Sequence, residues 1–418
     1  MKQYDVYIGE VLAGHLVQSE EGYSYFRFSA EYRSRADRPV LGQHFEDDLD
    51  KVYRGKGLRL PPYFANIVPE GALRDVLEHS LDVPPDDDLA MLEAVGRDLP
   101  GAVTVRASED ALQEKLRTAS GQDETPRQER SDEAGTGGRE GLRFSLAGVQ
   151  MKFSVLNRRQ RVTLPGQDQL GQWIVKLDAP QLSRMTENEY ATLKWADHAG
   201  FAVPECRLLL QEELPEVLRE YAPAESQALL IKRYDREGEE RIHQEDFAQV
   251  VGLPSRMKYE QVKYEQLATL AHAIVGRDAL EKVIKRIVFM VASANFDAHL
   301  KNWSLYYPDG IRARLAPLYD QVAVVPWSER IEPKWALKLA GTKDPFQTRM
   351  ATFERFAERV GIDPAEVLQL VEATLRRLAD AWEPSGAAEA MPESHVDSLH
   401  AYWKRVPLLG NLPSPFGK

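Results

Sequence analysis

Apolar positions follow two rhythms along this chain. In the first half they alternate. Residues 4–18 predict two short strands around a turn, and residues 23–32 alternate in strand fashion. Residues 57–81 are broken by two prolines and Gly71 into a turn, a short segment and a helix. Residues 144–156 predict strand, tight turn, strand; residues 172–177 and 228–234 predict two further strands. Between those two lies a helical pattern at 187–199, stopped by Gly200. In the second half the period becomes helical. Leu280, Val283, Ile284, Ile287, Val288 and Val291 fall on one stripe of a helix over 279–294, and further helices are expected over 347–361, 364–382 and 392–405.

One stretch fits neither rhythm. Residues 107–140 contain no aromatic residue and are rich in charge, Gly, Ser and Thr. Such a segment cannot bury enough apolar surface to offset its ordering entropy. It is expected to be a mobile connection with a short helix at 109–118. The chain thus divides into a small α/β region (1–106), a polar linker (107–140), a strand-rich lobe (141–235) and a helical lobe (236–418), an α+β architecture.

Composition narrows the setting. The 418 residues are 43% apolar, enough for more than one packed unit. A net charge of −12 argues against a surface built to coat nucleic acid. The single cysteine excludes an intramolecular disulfide and suits a reducing cytosol. The N-terminus lacks the pattern of a secretory signal, and no 18-residue apolar run occurs, so a cytoplasmic location is expected.

The candidate chemistry follows the buried helix. Asn295-Phe296-Asp297-Ala298-His299-Leu300-Lys301-Asn302 is a polar loop with an Asp and an Asn five residues apart, the separation found in kinase catalytic loops. There the Asp orients a substrate hydroxyl and accepts its proton, and the Asn reaches a metal ion on ATP phosphates. The chain then predicts strand, Pro-Asp-Gly turn and strand, a hairpin returning Asp320 beside the loop as a second magnesium ligand. Lys176 is the one charge in the apolar strand WIVKL, where a lysine can reach the α- and β-phosphates. Glu187 and Glu189 on the next helix are both able to hold it, with Glu189 preferred. The turn at 146–149 lies where a phosphate-covering loop belongs, although neither GxGxxG nor GxxxxGK[ST] is present.

In combination these segments resemble HipA kinases. Phe144-Ser145-Leu146-Ala147-Gly148-Val149-Gln150-Met151-Lys152 is similar to the family's SLAGAQEK-type segment, and 230–236 to its V-E-R-F-D-R segment. Residues 241–247 resemble R-L-H-Q-E-D-F/M, residues 295–302 N-x-D-x-H-x-K-N, and residues 315–320 L-A-P-x-Y-D. Near the N-terminus, residues 64–71 are similar to F-x-N-L-L-P-E-G.

The resemblance implies a kinase-like two-lobed core behind a small N-terminal domain. The implied activity is transfer of the ATP γ-phosphate to Ser or Thr of a protein, typically an aminoacyl-tRNA synthetase, arresting growth. Asp297 is then catalytic, and Asn302 and Asp320 hold Mg2+. ATP is bound by Ala147, Gly148, Val149, Gln150, Lys152, Lys176, Lys232, Tyr234, Asp235, His299 and Lys301, with 231–235 on the adenine side and Asp235 toward the ribose. Ser145 matches an autophosphorylated, inactivating serine. The implied partner is a small helix-turn-helix, HipB-like antitoxin that carries most of any DNA contact. Lys232, Tyr234, Phe296 and Met151 depart from the family pattern. A small-molecule or phosphoinositide-type kinase on the same core, or a co-repressor acting through its antitoxin, are the competing readings.

Overall fold

The alternation in residues 4–18 closes as a hairpin. β1 (Lys2–Ile8) and β2 (Val11–Gln18) pair antiparallel around Gly9, whose φ of 56° suits glycine. With β3 (Ser24–Phe28), β4 (Tyr53–Arg54) and β5 (Val103–Ala107) they form a sheet in the order β4-β3-β2-β1-β5. The strand expected over 23–32 stops at Phe28. The Ser29 hydroxyl accepts the Tyr32 N–H at 3.1 Å and caps a short helix, Ala30–Ser34. Local capping thus overrides the alternating pattern.

This computed structural model describes residues 2–56, 59–85, 87–96, 98–108, 151–158, 161–166, 169–179, 181–224, 226–410, 412 and 414–417. The expected linker from 109 onward, the helix at 109–118 and the segment from Phe144 to Gln150 lie outside the described residues.

A second sheet is built from β6 (Lys152–Arg158), β7 (Arg161–Thr163), β8 (Trp173–Lys176), β9 (Cys206–Leu209) and β10 (Ala228–Lys232), in the order β7-β6-β8-β10-β9. Its neighbouring strands are antiparallel. Alternation along β10 gives each face its own partner. Ala228 and Leu230 enter an apolar core shared with Phe26, Leu92 and Val103 of the N-terminal region, whereas Leu229 and Ile231 pack on Leu193 of the Met185–His198 helix. One continuous core therefore joins the two sheets, and each fully buried large apolar side chain in it contributes about 1.5–3 kcal/mol.

The remainder is mainly helical. The Arg277–Ala292 helix buries the whole expected stripe from Leu280 to Val291, and the Pro364–Trp382 helix has the predicted bounds. The Met350–Val360 and Glu393–Trp403 helices fall inside their expected ranges. The sequence pattern did not single out the Tyr264–Val275 helix, which Gly276 separates from its successor at a φ of 111°. Trp195 links this core to the strand-rich lobe: it packs on Phe289 and Trp382 and donates its indole N–H to the Leu378 carbonyl at 2.8 Å.

Two small strand units complete the fold. β11 (Arg236–Glu237) and β12 (Glu240–Arg241) form a hairpin, and β13 (His243–Asp246), β14 (Ser304–Tyr307) and β15 (Arg314–Leu315) form a three-stranded sheet. β14 and β15 are the hairpin expected after Asn302. The expected class, α+β with a strand-rich lobe before a helical one, holds.

Candidate active site

The two lobes face each other across a cleft of about 720 Å³. Lys176 ends β8 and lies in register with Lys152 of β6. Two lysines directly opposite on one sheet repel each other. Asp320 from the helical lobe relieves this: its carboxylate accepts from Lys176 and, at 3.1 Å, from Lys152. Glu189 accepts from Lys176 at 2.5 Å on the other side, while Glu187 turns to Arg184. Of the two candidates, Glu189 is thus the lysine partner.

Charge here is uneven. Burial would raise the Asp320 carboxyl, but Lys152 and Lys176 outweigh it and hold the group far below the usual carboxylate range. Burial would lower the Lys176 ammonium, but Asp320 and Glu189 hold it up. Burial pushes Glu189 up despite Lys176. Asp320 is therefore the carboxylate that keeps its negative charge, and it is partly exposed to the cleft. Its φ of 51° is a left-handed conformation that Asp tolerates better than most residues.

The loop after the Arg277–Ala292 helix is fixed residue by residue. Phe296 is buried against Trp335 and Tyr402, which turns Asp297 outward. The Asn295 side-chain oxygen accepts the Asp297 N–H at 3.1 Å, and Asn302 donates its amide to the Asp297 carbonyl at 2.9 Å. The Tyr264 hydroxyl and Trp303 indole both donate to the Ala298 carbonyl. Tyr319, next to Asp320, donates its hydroxyl to the Lys301 carbonyl at 2.9 Å.

His299 and Lys301 face inward. Burial lowers the His299 imidazole to about 4 despite Asp297, aided by Lys258 and Lys301, so it is neutral at physiological pH. Lys301 is held by the Glu70 carboxylate and by the Asn66 carbonyl at 3.1 Å. The sequence reading missed two participants. One is Glu70; the other is Tyr259, which donates its hydroxyl to Asp297 at 2.7 Å and sits edge-on to His299. Both contacts span tens to hundreds of residues and leave no local pattern.

Along the cleft, on the strand β10 that neighbours β8, Lys232 reaches outward over the Trp173 ring and toward Glu205, and Tyr234 stacks on Tyr319. Asp235, expected to face a ribose, is buried and engaged. It accepts from Arg233 at 2.8 Å, Arg236 at 3.0 Å and the Gly101 N–H at 2.8 Å. Asp98 completes the group against both arginines. Ser145, Ala147, Gly148, Val149 and Gln150 lie outside the described residues.

The donor set suits magnesium. Asp320 offers a carboxylate, and Asn302, whose amide N–H is spent on Asp297, offers an amide oxygen. Among the described residues no cluster of three His, Cys, Asp or Glu side chains could cage a metal. Magnesium is commonly bound by only one or two protein oxygens, with phosphates and water filling the rest. Among the described residues no helix is long and apolar enough to cross a membrane.

Known proteins match this arrangement. Residues 144–382 match the HipA-like C-terminal domain and residues 4–106 the HipA N-terminal domain. A Sinorhizobium fredii protein named "Putative kinase Y4dM" is 32% identical over 400 residues, covering 94% of each chain. The serine/threonine-protein kinase toxin HipA of Shewanella oneidensis is 24% identical over 78% of this chain and 77% of its own length. The fold matches a solved complex of Shewanella oneidensis HipA, HipB and operator DNA at 19% identity, with a TM-score of 0.71 over 96% of this chain and 95% of that one. This chain belongs to the HipA family.

Proposed function

We propose that this chain is a serine/threonine protein kinase of the toxin type, transferring the ATP γ-phosphate to a cellular protein, with an aminoacyl-tRNA synthetase as the expected acceptor. The observation that carries this reading is the meeting of Asp297, Asn302, Asp320 and the Lys176–Glu189 pair at one cleft between a strand-rich and a helical lobe. In this reading residues 1–106, 107–140, 141–235 and 236–418 are the N-terminal domain, linker, ATP-binding lobe and catalytic lobe.

Each side chain then has a task. Lys176 and Lys152 exchange the Asp320 carboxylate for phosphate oxygens, while Glu189 keeps Lys176 in place. Asn302 and Asp320 would hold Mg2+, which would offset the charge of the phosphates. Asp297 aligns the acceptor hydroxyl and takes its proton; the acceptor displaces the Tyr259 hydroxyl that hydrogen-bonds this carboxylate. Neutral His299 and Lys301 line the phosphate end. Lys232 and Tyr234 frame the adenine, and Asp235 shapes the ribose side through its arginines. Ala147, Gly148, Val149 and Gln150, outside the described residues, are assigned to ATP on the resemblance alone, and phosphorylation of Ser145 would add a dianion that repels the phosphates and switches the enzyme off. A HipB-like helix-turn-helix antitoxin neutralises the kinase and mediates its DNA contact, and the pair works in the cytoplasm.

The test is incubation of purified protein and lysate with Mg2+ and labelled ATP. Label is expected on Ser145 and on one cellular protein. Asp297→Ala should lower transfer by about 10³-fold or more. Undiminished labelling by that variant would refute the catalytic assignment. Label appearing only in small molecules would refute the protein-kinase reading.

A further inference from the structure

The segment from Phe64 to Gly71 lies far from the catalytic loop in sequence, and nothing in the reading above uses it. Its placement is unexpected for a structural appendage. Asn66 donates its amide to the Pro62 carbonyl and to the Leu253 carbonyl, each at 2.8 Å, which fixes its backbone against the helical lobe. The Asn66 carbonyl then accepts from the Lys301 ammonium at 3.1 Å. Gly71, at a φ of 57°, starts the Gly71–Ser80 helix with Glu70 at its cap position. The Glu70 carboxylate makes no capping bond; it turns away to Lys301, with Lys258 at 3.7 Å. Burial would raise this carboxyl, but Lys301 and Lys258 hold it down at about 2, so it is ionised across the working pH range.

Lys301 is 9% exposed and precedes Asn302. Its ammonium is held by Asn66 and Glu70, and its carbonyl by Tyr319 beside Asp320. The lysine is therefore pinned at both ends in a loop whose other side chains must meet acceptor and metal. Holding reacting groups within a fraction of an ångström is where such pinning acts on rate.

Building on the kinase reading, we propose that Glu70, from the N-terminal region, is a positioning residue of the phosphotransfer site, acting through Lys301 to fix the Asp297–Asn302 loop. The N-terminal region then completes the catalytic centre, and the Asn66–Gly71 segment is part of the enzyme's machinery.

The full-length protein tests this in three arms. First, Asp297→Ala against wild type establishes whether turnover depends on this site; equal turnover would overturn the kinase reading and this proposal with it. Second, in the protein without nucleotide, Glu70→Ala should raise amide hydrogen exchange in peptides covering 295–302 and leave the Arg277–Ala292 helix unchanged. Third, Glu70→Ala should lower kcat by about 10- to 100-fold with little change in the ATP KM. The double variant Glu70→Ala/Lys301→Ala should be no slower than Lys301→Ala alone. Glu70→Gln, which keeps the shape and loses the charge, should fall between wild type and Glu70→Ala and stands in if the alanine variant misfolds. Unchanged exchange in 295–302, Asp297-dependent turnover that ignores Glu70, or additive losses in the double variant would each overturn the proposal while the kinase reading stood.

Discussion

Two buried ion groups border the same cleft, and they are built differently. In the first, Arg233 and Arg236 face Asp98 and Asp235 at 2.8–3.0 Å, with the Gly101 N–H as a further donor. Two cations meet two anions, and the arginine side chains are fully buried. In the second, at the proposed phosphate end, the cations are lysines, and Asp320 is shared by two of them while a quarter exposed. A guanidinium fork fixes geometry, whereas an ammonium is a point charge that accepts any oxygen anion. The first group is suited to holding the N-terminal region on the strand-rich lobe. The second is suited to trading a carboxylate for a phosphate.

The largest expected effect separates the two by activity. Asp320→Asn should lower phosphotransfer by about 10³-fold, since it removes the charged side chain proposed to hold magnesium. The same change frees Lys152 and Lys176 from their carboxylate. Nucleotide binding in the absence of magnesium should therefore be tighter than in wild type, and the gain on adding magnesium should vanish. Calorimetry with and without chelator reads both. If magnesium still strengthens ATP binding to this variant as in wild type, Asp320 does not hold the metal.

The next effect is on stability. Asp98→Ala leaves Arg233 and Arg236 sharing one carboxylate, Asp235. Removing one partner from a buried ion group costs about 3–5 kcal/mol. Denaturant unfolding of wild type and variant should show that loss, and the kcat of the remaining folded protein should change far less than in Asp320→Asn. A variant as stable as wild type but slow in turnover would reverse the assignment of the two groups.

The same contrast explains what the sequence revealed. The phosphate-end residues sit in local patterns: a lone lysine in an apolar strand, an Asp and Asn spaced by one loop, and an Asp closing a hairpin. Each pattern needs only a few neighbours to form, and each is visible in a short window. The choice between Glu187 and Glu189 was harder, but two residues on a helix point to nearly opposite faces, so only one can meet Lys176. The arginine group was not legible. Arg233 contacts Asp98 across 135 positions, and although Arg233 and Arg236 flank Asp235 in the sequence, a short run of charges reads as a solvated face until Asp98 is brought to it. Glu70 reached the site unannounced for the same reason, from 231 positions away. The strand-ending Ser29 was legible in principle as a helix cap, but the alternating apolar residues around it spoke for a strand.

A buried carboxylate outside both groups sharpens the comparison because it has no cation partner among the described residues. Glu245 of β13 is fully buried where the N-terminal region meets the catalytic lobe. It accepts the Gln43 N–H at 2.9 Å and the Tyr307 hydroxyl at 2.5 Å, and its second oxygen has no partner among the described residues. Burial pushes its carboxyl from 4.5 up to about 8 against those two hydrogen bonds. Between these values the folded chain keeps a proton that the unfolded chain releases. Its contribution to stability is therefore full below about pH 4.5 and declines as pH rises to 8. Glu245→Gln does not titrate, so it should escape that decline. Relative to wild type it should gain about 2 kcal/mol between about pH 5 and about pH 6.5, read as the difference of the two unfolding free energies. This is smaller than the Asp98 effect, and it is set by burial rather than by a facing cation. A difference that stays flat with pH would mean that Glu245 ionises as an ordinary carboxylate, and that the joint between the two regions tolerates a buried charge without an arginine.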